Sequence, residues 1–451
     1  MTLWGGRFEA APSERLWSYT VDSADRRLLA VDVRGSLAHG EMLAKVGILT
    51  GEEWEEMEAG LRTILADAAD DTFEFLPTDE DVHSAVERRL VELVGEVGEK
   101  LHTGRSRNDQ IALDLRLYLR QAVEERVADI AAFIDVLCDQ AEANAGSVVA
   151  SYTHLQQAQA ISLGHHLLAY AWMLRRDQER LTDLGRRLRE SPLGAGASAG
   201  STLPLDPAYT ASLLGFGSTL PNSLDAVSSR DLVAEFVFAC AQAMVNLSRL
   251  AEDFILWSTT EFGWVTLADA YTTGSSALPH KKNPDIAELA RGRAATTLGT
   301  LTAILALQKG LPLAYNRDLQ EDKPALFAAD DALGTTLGAL RGMVATARFH
   351  APPPSSWTAA LDLAETLVRR GVPFRQAHEA VGRLVVRLLG EGRTLAGATE
   401  SDLAAADPRF QPQDLDCCRP DPERRSLPGS GSPRDVLRQI ALLRTPGPGA
   451  Q

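Results

Sequence analysis

Residues 231–259 read DLVAEFVFACAQAMVNLSRLAEDFILWST, and this stretch decides the fold class. Val233, Val237, Cys240, Met244, Leu247, Ala251 and Phe254 recur at alternating steps of four and three. That period places them on one face of an α-helix. At 1.5 Å per residue the run would extend about 43 Å. A continuous apolar seam of that length has to be buried against other helices, and alternation by four and three favours near-parallel bundle crossings. Other segments follow suit. Residues 105–145 contain no Gly or Pro, with Leu119, Val123, Val127, Ile130, Ile134 and Leu137 in helical register. Residues 156–189 and 284–309 read as two further long helices, the first with Gly164 and Gly185 interrupting its propensity. Strand-like alternation is nearly absent. The expected fold is all-α, predominantly helical, with a long-helix bundle at its centre.

Outside the bundle, 26–46, 52–69 and 81–93 read as amphipathic helices, and Trp4–Phe8 as an extended arm. Pro352, Pro353 and Pro354 mark a boundary, after which two short helices flank Gly371-Val372-Pro373 and a last one lies near 433–443. These signals divide the chain into 1–105, 106–353 and 354–451. The chain has 451 residues, 45% of them hydrophobic and 24% charged, as in a soluble globular protein. Its net charge of −16 argues against a nucleic-acid partner. The four cysteines show no metal-binding spacing, and Cys417 and Cys418 are adjacent, which suits a reducing compartment. No signal peptide or membrane span is read, so the cytoplasm is expected.

Four polar segments exceed what a helical bundle needs: 100–110 (KLHTGRSRNDQ), 151–159 (SYTHLQQAQ), 273–288 (TGSSALPHKKNPDIAE) and 311–323 (LPLAYNRDLQEDK). The third is a cationic, hydroxyl-bearing loop. Asn283, Pro284 and Asp285 suit a helix start, Asn as N-cap and Pro at the first helical position. Such a terminus can hold a carboxylate. In the first, Lys100, His102, Arg105 and Arg107 crowd before a helix start, which fits either an anion site or a solvated basic turn. Residues 193–207 (LGAGASAGSTLPLDP) carry three glycines that could cradle an anion or allow close packing, but lack a nucleotide-binding spacing. Cations, amides and hydroxyls with no metal set suit proton abstraction next to a carboxylate, where Lys281, Asn283 and loop N–H groups would stabilise an aci-carboxylate. Ser275 becomes a base only if its surroundings stabilise the alkoxide. His154 is a candidate acid if a carboxylate such as Glu288 orients it. Taken singly, His83, His154 and Ser275 read as structural groups; their company changes that reading.

At these residues the chain resembles the aspartase/fumarase superfamily, whose signature loop GSSxMPxKxNP is matched by GSSALPHKKNPD with Leu278 in place of Met. Within it the chain is most similar to argininosuccinate lyases, through LWGGRF (3–8), VDVRGS (31–36), LHTGRSRNDQ (101–110), YTHLQQAQ (152–159), SRDLVAEF (229–236), YNRDLQEDK (315–323) and LVRRGVPFRQAH (367–378). The resemblance implies cofactor-free anti β-elimination of N-(L-arginino)succinate to fumarate and L-arginine, in arginine biosynthesis, by a homotetramer with active sites shared between subunits. It implies Ser275 as base, Lys281 and Asn283 at the aci-carboxylate, and His154 with Glu288 on the leaving-group side. Arg107, Asn108, Thr153, Tyr315, Gln320 and Lys323 would hold substrate, with His83 close by. Two positions depart from the pattern. His280 stands where Gln is usual, and Val21 stands at a substrate-binding Ser, with Ser23 two residues on. Two other readings are a sister lyase releasing fumarate from another substrate, and a non-catalytic crystallin-like relative.

Overall fold

The structure, a computed structural model, describes residues 13–21 and 23–445; the arm read at Trp4–Phe8 lies outside them. It is predominantly helical, with fifteen α-helices among the described residues: α1 Glu14–Thr20, α2 Leu29–Lys45, α3 Gly51–Ala69, α4 Val82–Val94, α5 Arg107–Ala143, α6 Leu163–Arg187, α7 Pro207–Leu213, α8 Ser223–Ser228, α9 Asp231–Ser258, α10 Asp285–Gln308, α11 Asp322–Thr346, α12 Ala360–Arg369, α13 Phe374–Gly390, α14 Glu400–Ala406 and α15 Pro433–Arg444. Four antiparallel or parallel strand pairs complete it: β1 Val148–Thr153 with β2 Gln156–Ser162, β3 Glu190–Ser191 with β4 Ser218–Thr219, β5 Val265–Thr266 with β8 Arg348–Phe349, and β6 Thr273–Gly274 with β7 Lys282–Asn283.

Helix starts follow the capping chemistry of the sequence. Thr50 and Glu53 form a capping box at α3, Asp81 and Ser84 form one at α4, and Ser432 caps α15 with Pro433 behind it. The stretch at 231–259 is a single helix, α9. It is apolar and long enough to cross a membrane by composition alone, yet Phe236, Val237, Cys240, Met244 and Phe254 are fully buried in protein. It is a core helix.

By contact density the chain falls into two compact units, each built from three stretches. The first comprises 1–127, 179–242 and 295–333. Here α2 packs on α3 and α4, and α5 is tied to α11 by Tyr118 and Arg126, both bonded to Asp330. The second comprises 128–178, 243–294 and 334–451. In it α6 meets α9 through Tyr170 and Asp253 and through Asn246 and Asp177. A separate apolar cluster gathers Leu363, Leu367, Ala377, Leu384, Leu388 and Leu403 from α12, α13 and α14.

The reading of 156–189 as one helix is corrected. Residues 156–162 are strand β2, paired with β1 from Val148↔Ser162 to Thr153↔Gln156, with a register shift between Ala150 and Tyr152. The segment QQAQAIS buries Ala160 and Ser162 at a step of two, a strand period that its small and amide side chains make hard to see. The hairpin turns through His154 and Leu155, at φ of 54° and 56°. Helix α6 starts only at Leu163, and Gly164 serves a close approach there: a Cβ would lie 2.4 Å from the Ala141 carbonyl oxygen.

Candidate active site

Asp81 caps α4, and two residues on, the first turn of that helix points His83 inward. The turn at Thr103-Gly104 swings the chain so that α5 opens at Arg107 and Asn108. The 3-10 turn Arg317–Glu321 then leads into α11, bringing up Tyr315, Gln320 and Lys323. Together these elements of the first unit enclose a cavity of about 270 Å³. It is lined by six of the residues singled out above, Arg107, Asn108, Tyr315, Gln320, Lys323 and His83.

The sequence reading missed four charged residues that also line it: Asp25, Glu80, Asp81 and Arg317. The run of acids before His83 was the signal for Glu80 and Asp81, and the polar segment 311–323 the signal for Arg317. Asp81 is held below the ordinary carboxylate range; burial opposes this, and His83 and Arg107 outweigh it. Asp25 is pushed up, chiefly by burial. One of its oxygens accepts from the Val82 N–H at 3.1 Å, while the other is buried without a partner. Arg107 donates through Nη1 to Asp81, yet its Nη2 is buried with no hydrogen-bond partner. An orphaned guanidinium donor at a cavity wall is a place for an anion. Burial raises the Tyr315 hydroxyl, so the phenol stays a donor. Lys323 is buried against Asp322, which also holds the buried Arg230. Gln320 donates to the Thr20 carbonyl oxygen at 3.1 Å. Asn108 donates to the Ala197 carbonyl oxygen at 3.0 Å. Neither Val21 nor Ser23 is among the described residues lining the cavity.

The cluster at 100–110 therefore combines the two alternatives. Lys100 is solvent-facing and paired with Glu53, whereas Arg105 and Arg107 turn inward. The glycine loop likewise combines its two. Gly194 and Gly196 donate their N–H groups to Asp109 Oδ2 at 3.0 and 2.8 Å, so the cradled anion is a side chain of the same molecule. A Cβ on Gly194 would strike Pro207 at 2.5 Å.

In the second unit, β6 and β7 close the neck of the 273–288 loop, pairing Thr273 with Asn283 and Gly274 with Lys282. Within it, Ser275 Oγ accepts the N–H of Leu278 at 3.0 Å and of Ala277 at 3.3 Å. Two converging N–H dipoles lower the cost of negative charge on that oxygen. Lys282 is bound to Asp269; among the described residues Lys281 makes no ion pair. Asn283 does not cap the next helix as expected. Its amide donates to the Gly274 carbonyl oxygen at 3.4 Å, and α10 begins at Asp285, which bonds the Thr273 hydroxyl. The neck pairing takes Asn283 first. Thr153 and His154 stand exposed at the hairpin turn, and Glu288 is exposed in the first turn of α10. The expected pairing of His154 with Glu288 is not made within the chain: among the described residues no hydrogen bond joins them, and both face solvent.

Long helices carrying a serine loop, with a charged cavity lined by amides and a phenol, define a helical lyase of the fumarase type. The comparisons agree. A family model described as lyase matches residues 6–299, and one described as argininosuccinate lyase C-terminal matches 357–421. Argininosuccinate lyase of Desulforudis audaxviator is 50% identical over 88% of both chains. That of Pelotomaculum thermopropionicum is 46% identical over 98% of both. Among solved structures, a variant of EDDS lyase with bound fumarate superposes at a TM-score of 0.80, with 28% identity, covering 96% of this chain and 90% of that one. Class II fumarase of Schistosoma mansoni shares the fold at 0.73, with 16% identity over 91% of each chain. The chain belongs to the argininosuccinate lyase family, in the aspartase/fumarase superfamily, and is an enzyme of the lyase class.

Proposed function

We propose that the protein splits N-(L-arginino)succinate into fumarate and L-arginine, in arginine biosynthesis in the cytoplasm. Ser275, as alkoxide, takes the proton from the carbon next to a succinyl carboxylate. The electron pair left behind delocalises into that carboxylate, where Lys281 and Asn283 hold the added charge, and then expels the arginine nitrogen. That nitrogen leaves with a proton supplied on the His154 and Glu288 side. Thr153 joins Arg107, Asn108, Tyr315, Gln320, Lys323 and His83 in holding the substrate. The observation that carries this reading is Ser275 Oγ under the N–H groups of Ala277 and Leu278, in a loop where Lys281 has no ion-pair partner among the described residues.

Loop, hairpin and cavity are proposed to meet between subunits of a homotetramer. What supports this is α10, which carries no charge from Ala294 to Gln308 and leaves Leu298 45% and Leu305 54% exposed, two turns apart on one face. A stripe of this kind marks an interaction surface.

The test is absorbance in the fumarate band for wild type beside Ser275→Ala. Wild type is expected to turn over argininosuccinate, and the variant to be slower by roughly 10²–10⁴-fold with its oligomer intact. A variant with unchanged rate would remove Ser275 as base. Turnover of malate, aspartate or adenylosuccinate in place of argininosuccinate would favour a sister lyase, and release of no fumarate at all a structural role.

A further inference from the structure

Behind the cavity wall lies a pair of buried carboxyl groups that the elimination itself does not use. Asp32 on α2 and Asp114 on α5 flank His83 on α4, and all three are buried. His83 Nδ1 is hydrogen-bonded to Asp32 Oδ1 at 2.9 Å and lies 3.6 Å from Asp114 Oδ2. Gln110 Nε2 donates to the same Asp32 oxygen at 2.6 Å. Asp32 Oδ2 and both oxygens of Asp114 are buried with no hydrogen-bond partner. Three orphaned carboxyl oxygens side by side are costly to bury unless a proton or a cation sits among them. Arg105, on the turn before α5, already brings a positive charge to both carboxyls, which disfavours a doubly charged metal ion, while burial and the neighbouring Asp32 favour a proton on Asp114 in spite of it.

We propose that Asp32 and Asp114 share one proton and act as positioning residues for His83, holding the Nδ1–H on ionised Asp32 so that Nε2 is the ring nitrogen offered to the cavity. A carboxylate on one imidazole nitrogen sets the tautomer and orientation of the other. His83 lines the cavity while neither Asp32 nor Asp114 does, which fits this division. The direction of titration agrees: Asp114 is pushed well up by burial and then by Asp32. Asp32 is held down although burial opposes it, because His83, Arg105 and Gln110 outweigh burial. Around this site, Asp25 before α2, Asp81 on α4 and His102 before the turn couple to His83 or Asp114, His39 on α2, Glu87 on α4 and Asp109 on α5 couple to Arg105, and Arg107 on α5 and Lys323 on α11 couple further out, to Asp81 and Asp25.

The inference rests on the lyase reading only for its kinetic arm. Asp114→Asn mimics the protonated acid and is expected to keep kcat/KM at pH 7 within about threefold of wild type. Asp32→Asn removes the charge that fixes the tautomer and is expected to lower it about 100-fold or more. The wild-type alkaline decline set by ionisation of Asp114 should be missing in Asp114→Asn, which a merely structural role would not produce.

The second arm is thermal unfolding against pH. The folded wild type keeps the Asp114 proton that the unfolded chain releases near pH 4, so its stability falls as pH rises above that value. Asp114→Asn escapes this fall. Its Tm should exceed wild type by about 2 °C or more at pH 8, the gap narrowing toward pH 4. Asp114→Asn failing to fold, melting below wild type at every pH, or losing activity as Asp32→Asn does would overturn the shared proton. So would a Tm rise on adding Mg²⁺ or Co²⁺ to wild type that Asp114→Asn lacks, which would mark a cation site. Absence of fumarate release in wild type would sink the lyase reading alone, since the thermal arm still reads the pair.

Discussion

At the residue scale the most informative atom is Arg107 Nη2, a buried donor with no partner beside a cavity that also holds Lys323 and Tyr315. On the proposed reading a substrate carboxylate fills this unmet guanidinium donor at the strength of a charge-assisted hydrogen bond, about 1.5–3 kcal/mol. Arg107→Lys keeps the charge and loses the fork that bonds Asp81 with one arm and faces the cavity with the other. The expected result is KM raised roughly 10- to 100-fold with kcat little changed. Steady-state kinetics on argininosuccinate checks it, and a fall in kcat alone would place Arg107 on the transition state instead.

At the scale of elements, the glycine loop after β3 shows how one segment positions another. Asp109, in the first turn of α5, accepts N–H groups from Ser106, Gly194 and Gly196, so the loop and the start of the long helix share one carboxylate. Gly196 sits at φ 59°, and a Cβ there would meet the Gly200 carbonyl oxygen at 2.7 Å. Gly196→Ala combines left-handed strain with a clash against backbone. A stability loss of about 1–3 kcal/mol is expected, read as a lower urea midpoint with unchanged m. Because Asn108 bonds the Ala197 carbonyl oxygen in the same loop, a parallel rise in KM should accompany it. The hairpin of β1 and β2 is the opposite case, local structure that its composition conceals. Amides and alanines carry little strand propensity, and the pairing decides the matter.

For the whole molecule, α10 presents leucines and small residues outward, with Gly292 and Gly299 open on the surface. Leu298→Glu with Leu305→Glu places two charges in that stripe. If the stripe is a subunit contact, the double variant should run as a smaller species by light scattering, keep its helical circular dichroism, and lose fumarate release. A variant that stays at wild-type mass would remove α10 from the assembly.

The sequence by itself determined where the long helices run, because apolar residues at steps of four and three have one way to be buried together. α5, α9 and α10 begin and end within two residues of the periods read for them. It also named candidate groups for the chemistry, since serine, lysine, arginine and amide motifs can be named before they are placed. The tertiary structure alone decided which of them share a space. It took Asn283 for the loop neck and Asp109 for the glycine loop. It drew Asp25, Glu80, Asp81 and Arg317 into the cavity, and it buried Asp32 and Asp114 against His83 from helices far apart in the chain. Periodicity is a property of neighbours along the chain and is written in it. The partner of a buried carboxylate is set by which helices pack together, and no local pattern encodes that.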